Sequence, residues 1–252
     1  MDRLKDRVVV VTGGARGIGA VFSAALADEG AKVVIADIVD GDDAVSHIKA
    51  AGGEAIYVRT DVTSEQSVAD MVAKTEAEYG PIDALVNNAA IFATLSKQPF
   101  QDIAIDEWDK VMAVNVRGPF ICSKAVAPAM IKRGKGKILN VASGTVFKGM
   151  AGMLHYVSSK GAVVAMTRCL ARELGPNGIC VNAIAPGLTM SENVLSNPTW
   201  QGKGAQATVA SRAIQREQVP DDLIGSLLFF CSSDSDFVTG QTLVIDGGAV
   251  MK

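Results

Sequence analysis

Residues 12–19 read Thr12-Gly13-Gly14-Ala15-Arg16-Gly17-Ile18-Gly19 and join a short apolar run, Arg7–Val11, to a helical pattern that starts at Gly17. Gly13 allows a sharp turn away from the strand, and Gly17 removes the side chain where a pyrophosphate would approach the backbone. Gly19 lets the helix pack closely against the sheet, and the helix N-terminus offers unpaired N–H groups. The loop therefore predicts a dinucleotide-binding turn, and an ordinary strand–helix turn is the alternative. The residues expected to contact the dinucleotide are Gly13, Arg16, Gly17, Ile18 and Gly19.

Outward from this loop, short β-branched runs alternate with longer helical patterns along the whole chain. The predicted strands are Arg7–Val11, Lys32–Ala36, Ala55–Arg59, Ala84–Val86, Lys137–Val141, Cys180–Ile184 and Thr242–Ile245. The predicted helices are Gly17–Glu29, Asp42–Ala51, Ser64–Tyr79, Asp106–Arg133, His155–Leu174 and a segment near Pro220–Cys231. Continuous apolar strands that alternate with helices are typical of a doubly wound α/β fold, a parallel sheet with helices on both faces. No linker or repeat interrupts residues 1–252, so we expect a single domain that binds ligands at the carboxyl ends of its strands.

The composition excludes several classes of function. The chain has 252 residues, of which 48% are hydrophobic, and a net charge of −3, so we expect no binding to nucleic acid or to an anionic membrane surface. Its beginning lacks the features of a signal peptide, and the uncharged stretch from Leu174 to Ser191 contains prolines and asparagines that do not suit a membrane span. The four cysteines are far apart and form no C-x-x-C motif, which predicts neither a metal site nor a disulfide framework. We expect a cytoplasmic protein.

Polar residues that suit the rest of a dinucleotide follow the next three strands. Asp37 ends the second strand, where its carboxylate can accept hydrogen bonds from both hydroxyls of an adenosine ribose and would repel a 2′-phosphate. This favours NAD over NADP, although a guanidinium such as Arg16 could tolerate the phosphate. Asp61, followed by Val62, is placed to accept a hydrogen bond from the adenine amino group, and a helix cap or loop acid is its alternative role. The small residues and amides of Asn87-Asn88-Ala89-Ala90 suit the passage of a flat cofactor or form a plain turn.

Tyr156 and Lys160 lie one helical turn apart, so their side chains share one face of the predicted helix. The ordinary pKa of a tyrosine is near ~10, and a nearby ammonium group would lower the pKa of Tyr156 toward the working range. Ser143 comes just after the strand Lys137–Val141 and could hydrogen-bond a substrate oxygen. A Y-x-x-x-K pattern alone is common and carries little meaning. His155 points away from its neighbour Tyr156, so we expect a loop or interface residue rather than a proton shuttle.

Together these motifs resemble the short-chain dehydrogenase/reductase family, in order and in spacing, from Thr12-Gly13 to Asp246-Gly247-Gly248. The resemblance implies a Rossmann-type sheet of seven strands. It also implies a catalytic tetrad that consists of Asn115, Ser143, Tyr156 and Lys160. In that scheme Tyr156 is the general acid/base for the alcohol or carbonyl oxygen, which Ser143 orients and polarises. Lys160 holds the nicotinamide ribose and lowers the pKa of Tyr156, and Asn115 anchors a water that links Lys160 to solvent.

The same resemblance assigns the surroundings of the nicotinamide carboxamide to Pro186-Gly187, Thr189 and Ser191. The chain departs from the family's pattern at Ala90, where glycine is usual, and at Ser191, where threonine is usual. Neither departure removes a catalytic group. The resemblance also implies a homotetramer, built through the long helices that start near Asp106 and His155 and through the C-terminal strand.

The segment 189–212 is rich in Asn, Gln, Gly and Ser and has little periodicity, which predicts a mobile lid over the substrate. The side chains predicted to line the substrate pocket are Ile91, Phe92, Thr145, Phe147, Met150, Met153, Leu188, Met190, Val194, Leu195 and Trp200. Most of them are apolar, and Lys148 is the nearest cation, so the pocket favours a hydrophobic alcohol or ketone.

The sequence therefore predicts an NAD-dependent enzyme that interconverts a hydrophobic secondary alcohol (cyclic, aromatic or steroid-like) and its ketone by hydride transfer. Within the same class the alternative is a 3-oxoacyl-thioester (acyl-carrier-protein) reductase, which Asp37 disfavours because reductive synthesis usually draws on NADPH. The alternative of another class is a non-catalytic NAD(H)-binding sensor or scaffold, and the complete tetrad argues against it.

Overall fold

The computed structural model describes residues 3–251, apart from the side chain of Lys203, so the two ends of the predicted domain 1–252 lie outside the described part. A seven-stranded parallel sheet has the order β3-β2-β1-β4-β5-β6-β7. The strands are β1 (Val8–Thr12), β2 (Lys32–Asp37), β3 (Glu54–Arg59), β4 (Ala84–Asn87), β5 (Gly136–Val141), β6 (Ile179–Pro186) and β7 (Thr242–Ile245). The strand order reverses between β1 and β4, which opens a crevice at their carboxyl ends. The doubly wound, Rossmann-type α/β fold is confirmed.

Helices cover both faces of the sheet. They are α1 (Gly17–Asp28), α2 (Asp42–Ala50), α3 (Glu65–Tyr79), α4 (Ile105–Met112), α5 (Gly118–Arg133), α6 (Thr145–Lys148), α7 (Leu154–Leu174), α8 (Glu192–Leu195), α9 (Lys203–Ala210) and α10 (Ile224–Cys231). Successive strand residues point to opposite faces, so Val9 packs in one core with Phe22 of α1 and Leu227 of α10. Val10 packs in the other core with Met71 of α3. Each such buried side chain contributes about 1.5–3 kcal/mol, so a shifted strand register would cost much of the core.

The long helix predicted over Asp106–Arg133 is present, but it contains a π-helical turn that the sequence pattern did not indicate. A π-helical turn, Ala113–Arg117, separates α4 from α5. Pro119 lies in the first turn of α5 and has no N–H to donate to the carbonyl of Asn115, four residues earlier. In an α-helix the proline ring would also clash with that carbonyl, and the wider turn removes the conflict. Asn115 is fully buried in this turn.

The segment 189–212 contains more regular structure than its polar composition suggests. It holds α8, a short 3₁₀ turn at Pro198–Trp200, and α9. Its first residue is joined to the chain that follows the segment, because Thr189 forms a bridge pairing with Gln218. Within residues 3–251, no helix has the length and apolar character needed to cross a membrane.

Candidate active site

The glycine-rich loop lies at the carboxyl end of β1, where the chain enters α1. Gly13 and Gly17 have φ angles of 62° and 56°, in the left-handed region that favours glycine. A side chain at Gly19 would overlap the carbonyl oxygen of Gly13, so the close approach of α1 to this turn requires glycine. The first turn of α1 has no acidic residue, and Arg16 at the N-cap makes no capping side-chain bond. The N–H groups of this helix end therefore remain available to an anion such as a pyrophosphate, and the half-buried Ile18 lies among them.

Asp37 ends β2 beside this loop. Its Oδ2 accepts a hydrogen bond from the N–H of Ala15 at 3.1 Å, and its Oδ1 accepts one from the N–H of Val39 at 3.2 Å. A carboxylate oxygen can accept more than one hydrogen bond, so the half-buried carboxylate can still take the hydroxyl donors of a ribose. The side chain of Arg16, in the neighbouring loop, is exposed.

Asp61 follows β3 and closes a tight turn. Its Oδ1 accepts hydrogen bonds from the N–H and the hydroxyl of Thr63, at 2.9 Å and 2.7 Å. Ser64, and not Asp61, caps α3 by accepting a hydrogen bond from the N–H of Ser67. Asp61 therefore acts as a loop residue, which was the alternative to its contact with the adenine. Its Oδ2 can still accept a hydrogen bond from another donor. The next residue, Val62, is buried.

Asn88 connects the segment after β4 to the glycine-rich loop. Its Nδ2 donates to the carbonyls of Thr12 and Gly13, at 3.0 Å and 2.9 Å. The hydroxyl of Thr12 accepts hydrogen bonds from the N–H groups of Asn88 and Ala89. Motif analysis missed this role of Thr12, because its partners lie 76 and 77 residues away in the sequence. Ala89 is half-buried and Ala90 is exposed at this edge.

Ser143, Tyr156 and Lys160 come together at the carboxyl end of β5, and each side chain is at most 6% exposed. The Oγ of Ser143 accepts a hydrogen bond from the hydroxyl of Thr145 at 2.9 Å. The Nζ of Lys160 donates to the carbonyl of Val141 at 2.8 Å and lies 6.0 Å from the centre of the Tyr156 ring. The structure therefore brings together three of the side chains that the motifs indicated.

The pKa values of this pair differ from the expectation. Burial raises the pKa of Tyr156 to about 12, and its side-chain hydrogen bond with Ser143 opposes that rise only in part. Burial also lowers the pKa of Lys160 to about 8. The predicted lowering of the tyrosine pKa is wrong for this geometry, because the ammonium group is directed at Val141 and desolvation of the phenolate dominates.

Asn115 joins the segment after β4 to α7. Its Oδ1 accepts from the N–H of Ile91 at 2.8 Å, and its Nδ2 donates to the carbonyl of Ile91 and to the Oγ of Ser159, both at 3.1 Å. The hydroxyl of Ser159 donates in turn to the carbonyl of Tyr156. Both N–H groups of the Asn115 amide are used, so the side chain cannot donate to the predicted water.

The residues predicted beside the carboxamide begin where β6 ends at Pro186. Thr189 is buried, and its hydroxyl donates to the carbonyl of Gly187 at 3.2 Å. Ser191 is also buried, and it faces the glycine-rich loop: a Cβ placed on Gly17 would lie 3.7 Å from the Cβ of Ser191. The start of the segment 189–212 and the glycine-rich loop therefore line the same cleft.

Aromatic side chains pack over the ring of Tyr156. The ring of Phe92 lies 4.7 Å from the ring of Tyr156 and 4.5 Å from that of Trp200, measured between centroids. Trp200 belongs to the segment 189–212, is buried, and donates from its indole Nε1 to the carbonyl of Ala93 at 3.2 Å. The apolar side chains packed around these rings are Ile91, Leu95, Val111, Met150, Met153, Leu188, Met190 and Val194.

Three of the predicted pocket residues do not belong to this apolar cluster. Phe147 packs in a different core, with Val163 and Val244, because α6 turns its side chain toward β6 and β7. Leu195 is half exposed at the end of α8. Thr145 turns its hydroxyl away from the cluster and donates a hydrogen bond to the Oγ of Ser143.

His155 is fully buried, so its expected position in a loop or at an interface is wrong. Its Nε2 lies 3.0 Å from the Oε1 of Glu107, because α4 packs across the first turn of α7. The same oxygen accepts a hydrogen bond from the Nε2 of Gln98 at 2.6 Å. This contact could not be predicted, since no local pattern in the sequence shows which helices pack together.

Known proteins with similar sequences match this chain over nearly its full length. The family model described as "Enoyl-(Acyl carrier protein) reductase" matches residues 13–250. The chain is 38% identical over 253 residues to the cyclopentanol dehydrogenase of Comamonas sp., covering 98% of each chain. It is 40% identical over 255 residues to the galactitol 2-dehydrogenase of Agrobacterium fabrum, again covering 98% of each chain. A 3-oxoacyl-[acyl-carrier-protein] reductase of Synechocystis sp. is 34% identical over 259 residues, with full coverage of both chains.

The fold is shared with solved structures as well. A structure from Beutenbergia cavernae with NADP bound at low occupancy matches with a TM-score of 0.90 at 32% identity, covering 98% of this chain and 97% of that one. The relatives match over nearly the whole chain, so the matched region spans the glycine-rich loop and the segment that contains Ser143, Tyr156 and Lys160. The chain therefore belongs to the short-chain dehydrogenase/reductase family of oxidoreductases.

Proposed function

We propose that the protein is an NAD-dependent dehydrogenase that interconverts a hydrophobic secondary alcohol, cyclic, aromatic or steroid-like, and its ketone. One observation carries the proposal: Tyr156 is buried beside Ser143 and lies under the ring of Phe92. The side chains packed around it are apolar, which favours a substrate with an apolar surface. Two cations lie at its border: the Nζ of Lys160 is 6.0 Å from the centre of the Tyr156 ring, and the Nζ of Lys97 is 5.6 Å from the centre of the Trp200 ring. The name of the cyclopentanol dehydrogenase relative supports a small cyclic alcohol. A cytoplasmic homotetramer completes the proposal.

The chemistry at Tyr156 is proton transfer. A bound nicotinamide supplies the hydride acceptor for oxidation and the hydride donor for reduction. Tyr156, as phenolate, takes the proton from the alcohol oxygen and, as phenol, returns it to the carbonyl oxygen. Ser143 donates a hydrogen bond to that same oxygen and stabilises the negative charge that develops there. The ammonium group of Lys160 favours the phenolate once it turns from the carbonyl of Val141 toward the tyrosine.

The preference for NAD rests on Asp37. A 2′-phosphate beside this half-buried carboxylate would bring two anions together at a cost of several kcal/mol. The structure from Beutenbergia cavernae holds NADP, so the family accommodates either dinucleotide and the preference belongs to this chain's own residues. The glycine-rich loop, Asp61, the segment Asn88–Ala90 and the residues 186–191 complete the proposed cofactor site.

Cofactor preference is tested by titrating the purified protein with NADH and with NADPH and following the fluorescence of the reduced nicotinamide. We expect NADH to bind more tightly by about tenfold or more, which corresponds to ~1.4 kcal/mol. Tighter binding of NADPH would contradict the role of Asp37 and would make Arg16 the phosphate partner.

The activity is tested with NAD and a panel of secondary alcohols that includes cyclic, aromatic and steroid members. Turnover of an apolar alcohol should disappear in Tyr156→Phe, while the dissociation constant for NADH stays within about twofold of wild type, because the phenol contributes little to dinucleotide affinity. A Tyr156→Phe variant that keeps most of its activity would show that the assigned mechanism is wrong.

Two alternatives to this dehydrogenase function can each be tested. The relative from Synechocystis sp. and the description of the family model favour a reductase for acyl-carrier-protein thioesters, which would show as NADPH-dependent reduction of a 3-oxoacyl thioester. A non-catalytic NAD(H) sensor would bind NADH and oxidise no alcohol in the panel. The burial of a complete Ser143, Tyr156 and Lys160 set argues against the sensor.

A further inference from the structure

Arg212 is a buried cation at the far end of the segment 189–212, with 4% of its surface exposed. Its Nη2 donates to the carbonyl of Leu188 at 2.8 Å, and its Nη1 donates to the carbonyl of Arg216 at 2.6 Å. Leu188 immediately precedes the segment, so the guanidinium connects the exit of the segment to its entrance, 24 residues earlier. Burying a guanidinium is costly, so its two carbonyl partners point to a specific positional role.

Further hydrogen bonds near Arg212 also hold the start of the segment 189–212. Thr189 pairs with Gln218, and the N–H of Met190 donates to the carbonyl of Gln218 at 2.7 Å. The amide Nε2 of Gln218 donates to the carbonyl of Ile245, at the end of β7, at 2.8 Å. The carboxylate of Asp246 favours the charged form of Arg212 and compensates part of the burial. The base of the segment is therefore held by hydrogen bonds to the backbone carbonyls of Leu188, Arg216, Gln218 and Ile245.

The middle of the segment is held differently. The Nδ2 of Asn197 and the indole Nε1 of Trp200 both donate to one acceptor, the carbonyl of Ala93, at 2.6 Å and 3.2 Å. The segment thus closes over the aromatic rings at Trp200 and is joined to the body at Arg212. Because Leu188 belongs to the apolar cluster that contains Tyr156, the guanidinium acts on a wall of the catalytic site.

We propose that Arg212 is a positioning residue that joins the two ends of the segment 189–212 and holds Leu188 and Thr189 in place beside the catalytic site. The role rests on the proposed dehydrogenase function, because the substrate is what this wall would orient. It requires the forked guanidinium in particular: two carbonyls from different parts of the chain are reached by separate N–H groups, whereas a lysine offers one nitrogen.

The test compares Arg212→Lys and Arg212→Gln with the matched control Arg216→Gln. Arg216 lies four residues further along, is exposed, and pairs with Asp222, while its main-chain carbonyl still accepts from Arg212 in the control. We expect both Arg212 variants to raise KM for the alcohol by about tenfold, with the dissociation constant for NADH changed by no more than about threefold. Arg216→Gln should match wild type in both quantities.

Hydrogen exchange supplies a readout that does not depend on turnover. The N–H of Met190 and the peptides that cover 188–195 should exchange about tenfold faster in both Arg212 variants and at the wild-type rate in Arg216→Gln. A lysine variant with wild-type KM and wild-type exchange would overturn the proposal, because charge alone would then suffice. Faster exchange in a protein that turns over no alcohol would support the role of Arg212 and reject the proposed function; unchanged exchange would reject the role of Arg212 whatever the activity.

Discussion

Asp37 is the single residue on which the proposed choice between the two dinucleotides depends. Asp37→Asn removes the charge and keeps an oxygen that can accept from the N–H of Ala15. We expect its affinity for NADPH to rise by about tenfold, since the repulsion between two anions disappears, while NADH loses less. Fluorescence titration with both dinucleotides measures the ratio.

The control for this change is Asp40→Asn, three residues further along, where an exposed carboxylate accepts from the N–H of Asp42. It should leave the ratio of the two affinities unchanged. If Asp37→Asn also left the ratio unchanged, the carboxylate would not be the group that discriminates, and the exposed Arg16 would be the next residue to replace.

Lys160 makes the stability of the protein depend on pH in a definite direction. Its pKa is lowered to about 8 from 10.5, so the folded protein binds this proton less tightly than the unfolded chain. Stability is therefore gained as the pH rises from about 8 to about 10.5 and lost as the pH falls through that range. Relative to Lys160→Met, the free energy of unfolding of the wild type should increase by about 3 kcal/mol over this range.

Urea unfolding at a series of pH values measures that difference. Lys49→Met, which removes an exposed lysine from α2, is the control and should run parallel to the wild type. A difference curve for Lys160→Met that is flat from pH 8 to pH 10.5 would show that the ammonium group is not destabilised by its burial.

Individual site residues could be predicted from the sequence where reactive side chains stand at a recognisable spacing. The i, i+4 spacing of Tyr156 and Lys160 and the position of Ser143 after a strand are local patterns, so the sequence alone located them. The guanidinium contacts of Arg212 were not predictable, because Leu188 lies 24 residues away and nothing local links the two. Burial effects such as the raised pKa of Tyr156 also need the packed structure.

At the scale of elements, the π-helical turn between α4 and α5 holds the segment after β4 in place. Asn115 pairs with both backbone groups of Ile91 from within this turn. Asn115→Leu would leave the N–H and carbonyl of the half-buried Ile91 without their side-chain partner, at about 1–3 kcal/mol for each group. We expect a loss of about 2–5 kcal/mol in the free energy of unfolding, measured in urea.

Asn115→Asp tests the two hydrogen bonds between Asn115 and Ile91 separately. The carboxylate still accepts from the N–H of Ile91 but has no hydrogen to give to the carbonyl, so the loss should be intermediate or, if the charge is retained, as large. Two variants that both stay within about 0.5 kcal/mol of wild type would mean that the turn does not depend on this amide.

The strands were predictable from their continuous apolar runs, and their observed bounds differ from the expected ones by one or two residues at most ends. The π-helical turn within the helix Asp106–Arg133 was not predicted, although Pro119 carried a usable signal: a proline after the first turn of a helix removes a hydrogen bond to the carbonyl four residues back. The three short elements inside 189–212 lack any periodicity because their stability comes from tertiary contacts such as that of Trp200 with Ala93.

At the scale of the whole molecule, the helices α4, α5 and α7 each leave a large apolar side chain in solvent. Ile105, Phe120 and Leu154 are 73%, 49% and 46% exposed. Single exposed apolar side chains are common on monomeric proteins, so these three bear on assembly only through the helices that carry them. They lie on the helices through which the family resemblance predicts a homotetramer, so we expect these surfaces to be covered by further copies of the chain.

Sedimentation equilibrium at micromolar concentration tests this assembly. The wild type should sediment with four times the mass of one chain, and Phe120→Glu should shift it to smaller species, because burying an unpaired carboxylate at an interface costs several kcal/mol. Lys49→Glu changes an exposed residue on α2, outside those helices, and should remain a tetramer. A wild-type protein that sediments as a monomer would contradict the assembly.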